Sequence, residues 1–355
     1  MEKKQNLLDL DFEALKNFLT KKIGIEDKKI NMRTQQLFTA IYQKGIKNFN
    51  ELTTIPLDLR EKLNKFFSLN ESKIAETHKS LDGTIKFLIK LSDGNKVECV
   101  YIPEKTRGTI CVSSQVGCSL TCSFCRSGTQ KLVKNLIASE IVSQVMLVKD
   151  NLNDWSDQKI ISNIVFMGQG EPLINFSNIK TAINILKDKK GLNYGNKKIT
   201  ISTSGIANKI PQVADEIGTY LALSLHAPND RLREEIMPIN KKFKIKELVK
   251  QLKYYTSVVK EPIFLEYVML KNVNDTEECA KQLVKLMAQF PCKINLIEFN
   301  SWPGVKFEPT ERKNIEKFSK YIQDKGYMSF IRRSRGDDVL AACGQLRTES
   351  IKKIN

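Results

Sequence analysis

Thr109-Ile-Cys-Val-Ser-Ser-Gln-Val-Gly-Cys-Ser-Leu-Thr-Cys-Ser-Phe-Cys125 is the stretch on which the fold turns. It opens as a short β-prone run, 109–113, and then becomes a loop carrying Cys118, Cys122 and Cys125. That run is the first of seven expected strands. The others are 163–168, 197–204, 219–226, 263–270, 293–299 and 328–332. Helical periodicity fills most of the gaps between them. Ser139 reads as the N-cap of the first helix, ahead of Glu140, Ile141, Val145 and Val148. Repeated β-then-α units imply a parallel sheet covered by helices. Six or so such units predict an α/β fold of the complete or partial (β/α) barrel type. In that fold the chemistry belongs at the C-terminal strand ends, and the cysteine loop starts at one of them.

Upstream, the period changes. Ile85, Phe87, Ile89 and Leu91 alternate with polar residues, Ser92-Asp93-Gly94-Asn95 turns the chain, and Val97, Cys99 and Tyr101 return. This is a β-hairpin signal. Residues 1 to about 75 read as helical, with Leu15, Phe18 and Leu19 on one face and Leu37, Phe38, Ile41 and Tyr42 on another. Gly45 reads as a helix stop, and Pro56 sits near the start of a third short helix. The expected organisation is a helical accessory domain at 1–78, a β-hairpin linker at 79–104, a catalytic barrel at 105–346 and a tail at 347–355.

Composition fits a soluble globular chain, with 41% hydrophobic and 27% charged residues. No apolar run approaches the roughly 20 residues that span a bilayer. The first residues lack the apolar core of a signal peptide, so a cytoplasmic protein without membrane contact is expected. Lys and Arg number 57 against 40 Asp and Glu, a formal net charge of +17. Such an excess favours a polyanionic partner, most simply nucleic acid, although the chain is rich in Lys throughout. Lys241, Lys242, Lys244, Arg332 and Arg333 are candidates for backbone contacts.

Eight cysteines in a chain of 355 residues do not suggest a small secreted disulfide scaffold. Cys118-x3-Cys122-x2-Cys125 instead places three thiolates within eight residues. A 4Fe–4S cubane normally takes four cysteines. With no fourth nearby, one iron keeps an open position, which suits the amino and carboxylate groups of S-adenosylmethionine. Zinc, the alternative, asks for four ligands at other spacings, and His78 and His226 lie far away in sequence. Glu98, on the returning hairpin strand, reads by itself as a solvated carboxylate. Gly168-Gln-Gly-Glu171 ends a strand. Its glycines suit a backbone approach to a ligand, and Glu171 suits an ammonium group. Ser202, Ser224, Leu225, His226 and Asn300 also fall at strand ends.

The chain resembles the radical S-adenosylmethionine superfamily and, more narrowly, the RlmN/Cfr family of RNA methyltransferases. The resemblance covers nearly the whole chain. It rests on the cysteine loop with Phe124 between its last two cysteines, on Phe166-Met-Gly-Gln-Gly-Glu-Pro172, and on Ser202-Thr-Ser-Gly205. It rests also on Leu223-Ser-Leu-His-Ala-Pro-Asn-Asp230, Met237-Pro-Ile-Asn240, Cys292-Lys-Ile-Asn-Leu296 and Ala341-Ala-Cys-Gly-Gln-Leu346. The family more usually has Met where this chain has Gln169, a departure that unsettles local packing.

The resemblance implies a radical-enzyme partial (β/α)6 barrel, a 4Fe–4S cluster on Cys118, Cys122 and Cys125, and S-adenosylmethionine held by Gly170, Glu171, Ser202, Ser224, Leu225, His226 and Asn300. It implies methylation of C2 of adenine, at position 2503 of 23S rRNA and position 37 of some tRNAs. Methylation of C8 of the same rRNA adenine, as in the Cfr branch, is the alternative. Two S-adenosylmethionine molecules serve each turnover: one methylates Cys343, and the other gives the radical that activates the S-methyl group. Cys111 then resolves the RNA adduct and leaves a transient Cys111–Cys343 disulfide, with Glu98 as proton acceptor. An external flavodoxin-like or ferredoxin-like electron donor and a monomeric state are also implied. Cys99, Cys279 and Cys292 match no catalytic position and are expected to be structural.

Overall fold

The computed structural model describes residues 4–69, 71–156 and 158–348, so most of the expected tail lies outside the described residues. One ten-stranded sheet organises the chain. Its strands are β1 (Lys73–Lys79), β2 (Ile85–Lys90), β3 (Lys96–Pro103), β4 (Gly108–Cys111), β5 (Asn163–Phe166), β6 (Ile199–Thr203), β7 (Tyr220–Ser224), β8 (Ile263–Met269), β9 (Cys292–Glu298) and β10 (Ser329–Arg332). They lie side by side in chain order. From β1 to β4 the pairs are antiparallel, and from β4 to β10 they are parallel.

Parallel neighbours need long crossovers, and helices supply them here. α4 (Ala138–Leu152), α5 (Phe176–Lys187), α6 (Ile210–Glu216), α7 (Asp230–Ile236), α8 (Ile245–Val259), α9 (Glu277–Met287) and α10 (Arg312–Asp324) occupy the gaps. Six β/α units followed by β10 make the radical-enzyme partial barrel. Both faces of the strands are covered: on β8, Ile263, Leu265, Tyr267 and Met269 are fully buried on one face, and Glu266 and Val268 are buried on the other. All seven expected strands appear with ends shifted by up to a few residues; most are shorter than expected, and those at Gly108–Cys111 and Cys292–Glu298 begin one residue earlier.

The N-terminal helices α1 (Phe12–Phe18), α2 (Asp27–Tyr42) and α3 (Leu57–Phe66) form around Leu15, Leu19, Leu37, Phe38 and Tyr42, all buried. This module touches the barrel on α4 and α5. Asp9 Oδ1 accepts from Ser139 N at 2.8 Å, and Asn184 Nδ2 donates to Asp11 Oδ2 at 3.1 Å. The first contact corrects the expected cap. Ile137, not Ser139, occupies the cap position of α4, and the orphan Ser139 N–H is satisfied by a carboxylate from another part of the chain. Strand β1 gave no signal in the sequence. It is an edge strand exposed along almost its whole length, so no apolar alternation marks it. Among the described residues no helix is long and apolar enough to cross a membrane.

Candidate active site

The C-terminal ends of the parallel strands surround a cavity open on one side to solvent. Its wall brings together Cys118, Cys122, Cys125, Gly170, Glu171, Ser202, Ser224, His226 and Cys343. These residues come from five regions of the sequence.

The cysteine loop is shaped by its own backbone. Gly117 has φ +78°, and a Cβ there would lie 2.2 Å from the Lys131 carbonyl oxygen, so only glycine permits the turn into Cys118. Cys118 N donates to Gln130 O at 3.0 Å, and Cys125 N to Cys122 O at 3.1 Å. Ser123 N donates to Ile236 O at 3.0 Å and Trp302 Nε1 to Phe124 O at 3.0 Å, fixing the loop against α7 and the chain after β9. Burial pushes the Cys118 thiol up to about 11 and raises Cys122 and Cys125 as well. A bound cation reverses that preference and favours thiolates. All three cysteines line the same cavity. Three thiols within eight residues suit a multi-iron cluster with one cysteine per iron better than one zinc ion, which asks for four ligands.

Next to the cysteines sits a buried carboxylate. Glu171 Oε2 accepts from Ser204 N at 2.7 Å and Oε1 from Leu173 N at 3.1 Å. Burial raises its pKa against those two bonds. Its partners are the backbone N–H groups of Ser204 and Leu173 and the hydroxyls of Thr203 and Ser204, with no cation among them, which leaves it suited to an incoming ammonium. Gly170, at φ +97°, is needed for a reason the sequence did not suggest. A Cβ would lie 2.5 Å from Gln115 Cβ, so the crowding is with protein. Gln115 is buried, and its Oε1 accepts from Glu171 N at 3.0 Å and from Ser119 Oγ at 3.3 Å, joining the carboxylate to the cysteine loop.

His226 takes the left-handed region, φ +56°. Val268 N donates to its Nδ1 at 3.0 Å, so Nε2 carries the proton of the neutral ring. Burial, then the nearby Arg233, pushes its pKa down to about 3. His226 is therefore a neutral donor to the cavity and not a base at neutral pH. Its ring meets Phe124 edge to face at 4.8 Å.

Arg233 was not foreseen. It is fully buried beneath the cavity, and its guanidinium donates to Ser204 O (2.6 Å), Ser224 O (3.1 Å), Leu225 O (3.0 Å) and Asn240 Oδ1 (2.9 Å). It thus fixes the backbone of three residues at two strand ends. A signal existed: Arg233 shares a helical face with buried Ile236 and Met237, where an arginine is out of place. Glu266, also unforeseen, lines the cavity and accepts from Asn295 Nδ2 at 2.8 Å.

Leu225, Asn300, Cys111 and Glu98 do not line the cavity. Leu225 is core. Asn300 Nδ2 donates to Cys343 O at 3.3 Å and so touches the Cys343 loop. Cys111 is buried behind Cys343 among Val100, Ala341 and Leu346, and burial with the adjacent Cys343 pushes its thiol up to about 12. Cys343 exposes its surface to the cavity while protein encloses it, which raises its thiol too. Both are free thiols. Glu98 is not the solvated carboxylate that its strand suggested. It is 6% exposed, pairs with Lys86 Nζ at 3.3 Å and accepts from Arg347 N at 2.8 Å, and burial raises its pKa. Cys99 and Cys279 are buried and Cys292 half-buried, each within or against the main core. Lys244 pairs with Glu234.

Relatives share this arrangement across almost their full length. Residues 112–283 match the model of the radical SAM superfamily, and residues 5–69 match the N-terminal domain of ribosomal RNA large subunit methyltransferases. The dual-specificity RNA methyltransferase RlmN of Parvibaculum lavamentivorans is 46% identical over 96% of this chain and 87% of its own length. The protein of the same name from Bradyrhizobium diazoefficiens is 48% identical over 93% and 85%. A radical SAM methyltransferase from Sphaerobacter thermophilus superposes with a TM-score of 0.89 at 34% identity, over 97% of this chain and 99% of that one. A cluster-suited cysteine loop, a buried carboxylate beside it and relatives 46–48% identical over most of their length together make this chain a member of the RlmN family of RNA methyltransferases, within the radical SAM superfamily.

Proposed function

We propose that the chain methylates C2 of adenine, at position 2503 of 23S rRNA and position 37 of a subset of tRNAs. The observation that carries this reading is that Cys343 opens onto the same cavity as Cys118, Cys122 and Cys125, with Cys111 directly behind it. A thiol in that position can carry a one-carbon group between cofactor and base. C2 of adenine is not nucleophilic, so a carrier is what the chemistry needs.

Cys118, Cys122 and Cys125 would hold the 4Fe–4S cluster, while Gly170, Glu171, Ser202, Ser224, Leu225, His226 and Asn300 would bind or frame S-adenosylmethionine. Together these groups supply the methyl carbon and the one-electron chemistry. Glu171 accepts the ammonium end, and His226 offers its Nε2–H. Arg233 holds Ser204 and Ser224 in register. Cys343 loses its proton and takes the methyl group on Sγ. That S-methyl carbon would give up one hydrogen atom to the one-electron chemistry and bond to C2 of the base, which must leave its stack to reach the cavity. The adduct would return one electron, and Glu98 accepts the proton lost from C2. Cys111 loses its proton and attacks the Cys343 sulfur, the S–C bond breaks with its electron pair on the base-side carbon, that carbon takes up a proton to complete the methyl group, and a Cys111–Cys343 disulfide forms. An external flavodoxin-like or ferredoxin-like donor supplies electrons. The net charge of +17 supports an RNA partner, and we place the enzyme in the cytoplasm as a monomer.

The 1–78 module is proposed to add RNA contacts, ahead of a 79–104 linker and a 105–346 catalytic unit. The test is anaerobic reaction of the reconstituted enzyme with rRNA and tRNA fragments, followed by nucleoside mass spectrometry. 2-Methyladenosine is expected. 8-Methyladenosine would move the chain to the Cfr-like reading, and unmodified RNA with intact cofactor cleavage would refute RNA methylation.

A further inference from the structure

Gln169 stands where the family more usually has methionine, and it is fully buried. Its side-chain amide makes hydrogen bonds to three separate parts of the chain. Oε1 accepts from Glu98 N at 2.9 Å and from Thr348 Oγ1 at 2.9 Å, and Nε2 donates to Gln130 Oε1 at 3.2 Å. Gln130 completes the grip, since its Oε1 accepts from Thr348 N at 3.2 Å and its Nε2 donates to Thr348 O at 2.6 Å. The two glutamines thus hold the N–H, the C=O and the hydroxyl of one residue. Gln169 itself cannot shift, because its N donates to Ser113 Oγ at 2.9 Å and its O accepts from Ser114 N at 2.8 Å.

Thr348 ends a segment that carries Cys343. Along that segment Gly344 O accepts from Arg126 N at 2.7 Å, Leu346 O accepts from Ser127 Oγ, and Arg347 N donates to Glu98 Oε2 at 2.8 Å. Residues 126–130 directly follow Cys125. The Gln169 amide therefore touches the cysteine-loop side, the Glu98 strand and the Cys343 segment at once.

We propose that Gln169 is a positioning residue that sets the register of the Cys343 segment against the cysteine loop and the Glu98 strand. It acts through Thr348 and Gln130 and touches no reacting atom. An apolar side chain of equal length would leave Glu98 N–H, Thr348 Oγ1–H and Gln130 Oε1 short of a buried partner, and the segment would open more often. This inference rests on the proposed role of Cys343 for its catalytic consequence, but not for its structural one.

The test uses Gln169→Met and Thr348→Val in the full-length, cluster-loaded enzyme. Hydrogen exchange at the amides of Arg347 and Thr348 is expected to rise about tenfold in Gln169→Met, with exchange in β8 and β9 unchanged. S-Adenosylmethionine affinity is expected to hold, while 5′-deoxyadenosine released per methylated adenosine rises about tenfold. Thr348→Val should give part of both effects, and the double variant should be no worse than Gln169→Met alone. Unchanged exchange at 347–348, or faster exchange spread evenly over the barrel, would overturn the proposal. If the wild-type enzyme methylates no adenine, the proposed function falls while the exchange measurement still decides the role of Gln169.

Discussion

The two walls of the cavity are built on opposite principles. The wall bearing Glu171, Ser202, Ser224 and His226 grows out of parallel strands in the main core, and Arg233 locks it from beneath with four charge-assisted hydrogen bonds. The opposite wall, residues 340–348, has neither strand nor helix. Its apolar anchors are Ala341 and Leu346, in a small cluster with Val100 and Cys111. Hydrogen bonds to its main chain hold the rest. A cofactor wall that must keep one geometry is made of core. The wall proposed to carry carbon to the base is a polar-pinned segment with few buried apolar contacts.

Substitutions separate the two walls most strongly at their sulfurs. Cys122→Ala should abolish both iron retention and S-adenosylmethionine cleavage, read by iron and sulfide analysis and by 5′-deoxyadenosine release. Cys343→Ala should abolish RNA methylation while leaving iron content near wild type. Loss of iron in Cys343→Ala as well would merge the two walls into one.

Arg233→Met is the next largest effect. It leaves Ser204 O, Ser224 O, Leu225 O and Asn240 Oδ1 without their buried donor, which costs roughly 3 kcal/mol or more. Denaturant unfolding measures it. Arg347→Ala is the matched substitution on the other wall. Its backbone N–H is what holds Glu98, and Ala keeps that group, so a change of about 0.5 kcal/mol or less is expected.

Acid and alkali give the smallest and most specific contrasts. Native His226 is held neutral with its pKa at about 3, against 6.5 for an ordinary histidine, so the unfolded state binds the proton first. Its neutrality therefore lowers stability progressively as pH falls from about 6.5 toward 3. His226→Asn should flatten that part of the acid-unfolding curve. Cys111, raised to about 12 from an ordinary 9.0, should react with iodoacetamide at a rate still climbing above about pH 10.5, where a thiol of ordinary pKa has reached its plateau.

How much of this was legible in sequence follows the same division. The core-built wall announced itself: its strands repeat, and Glu171, Ser202, Ser224 and His226 lie at their ends. Arg233 escaped because a buried arginine breaks the rule by which helical faces are read. The polar-pinned wall was legible only as a lone Cys343 within a family motif. Several of the contacts that hold it join distant residues, 179 positions apart for Gln169 with Thr348 and 249 for Glu98 with Arg347, and many use backbone groups that carry no residue-specific signal. Strand β1 was missed for a related reason, since an exposed edge strand buries no alternating face. The capping of α4 by Asp9 likewise depends on tertiary contact.

The central claim, that Cys343 carries the carbon and Cys111 releases it, is tested most directly by trapping. Cys111→Ala should be incubated anaerobically with RNA and S-adenosylmethionine, digested with nuclease and protease, and read by mass spectrometry. The expected result is a peptide containing Cys343 joined through one methylene carbon to C2 of adenosine, with little free product. Free methylated adenosine at the wild-type yield, with no adduct on Cys343, would contradict it.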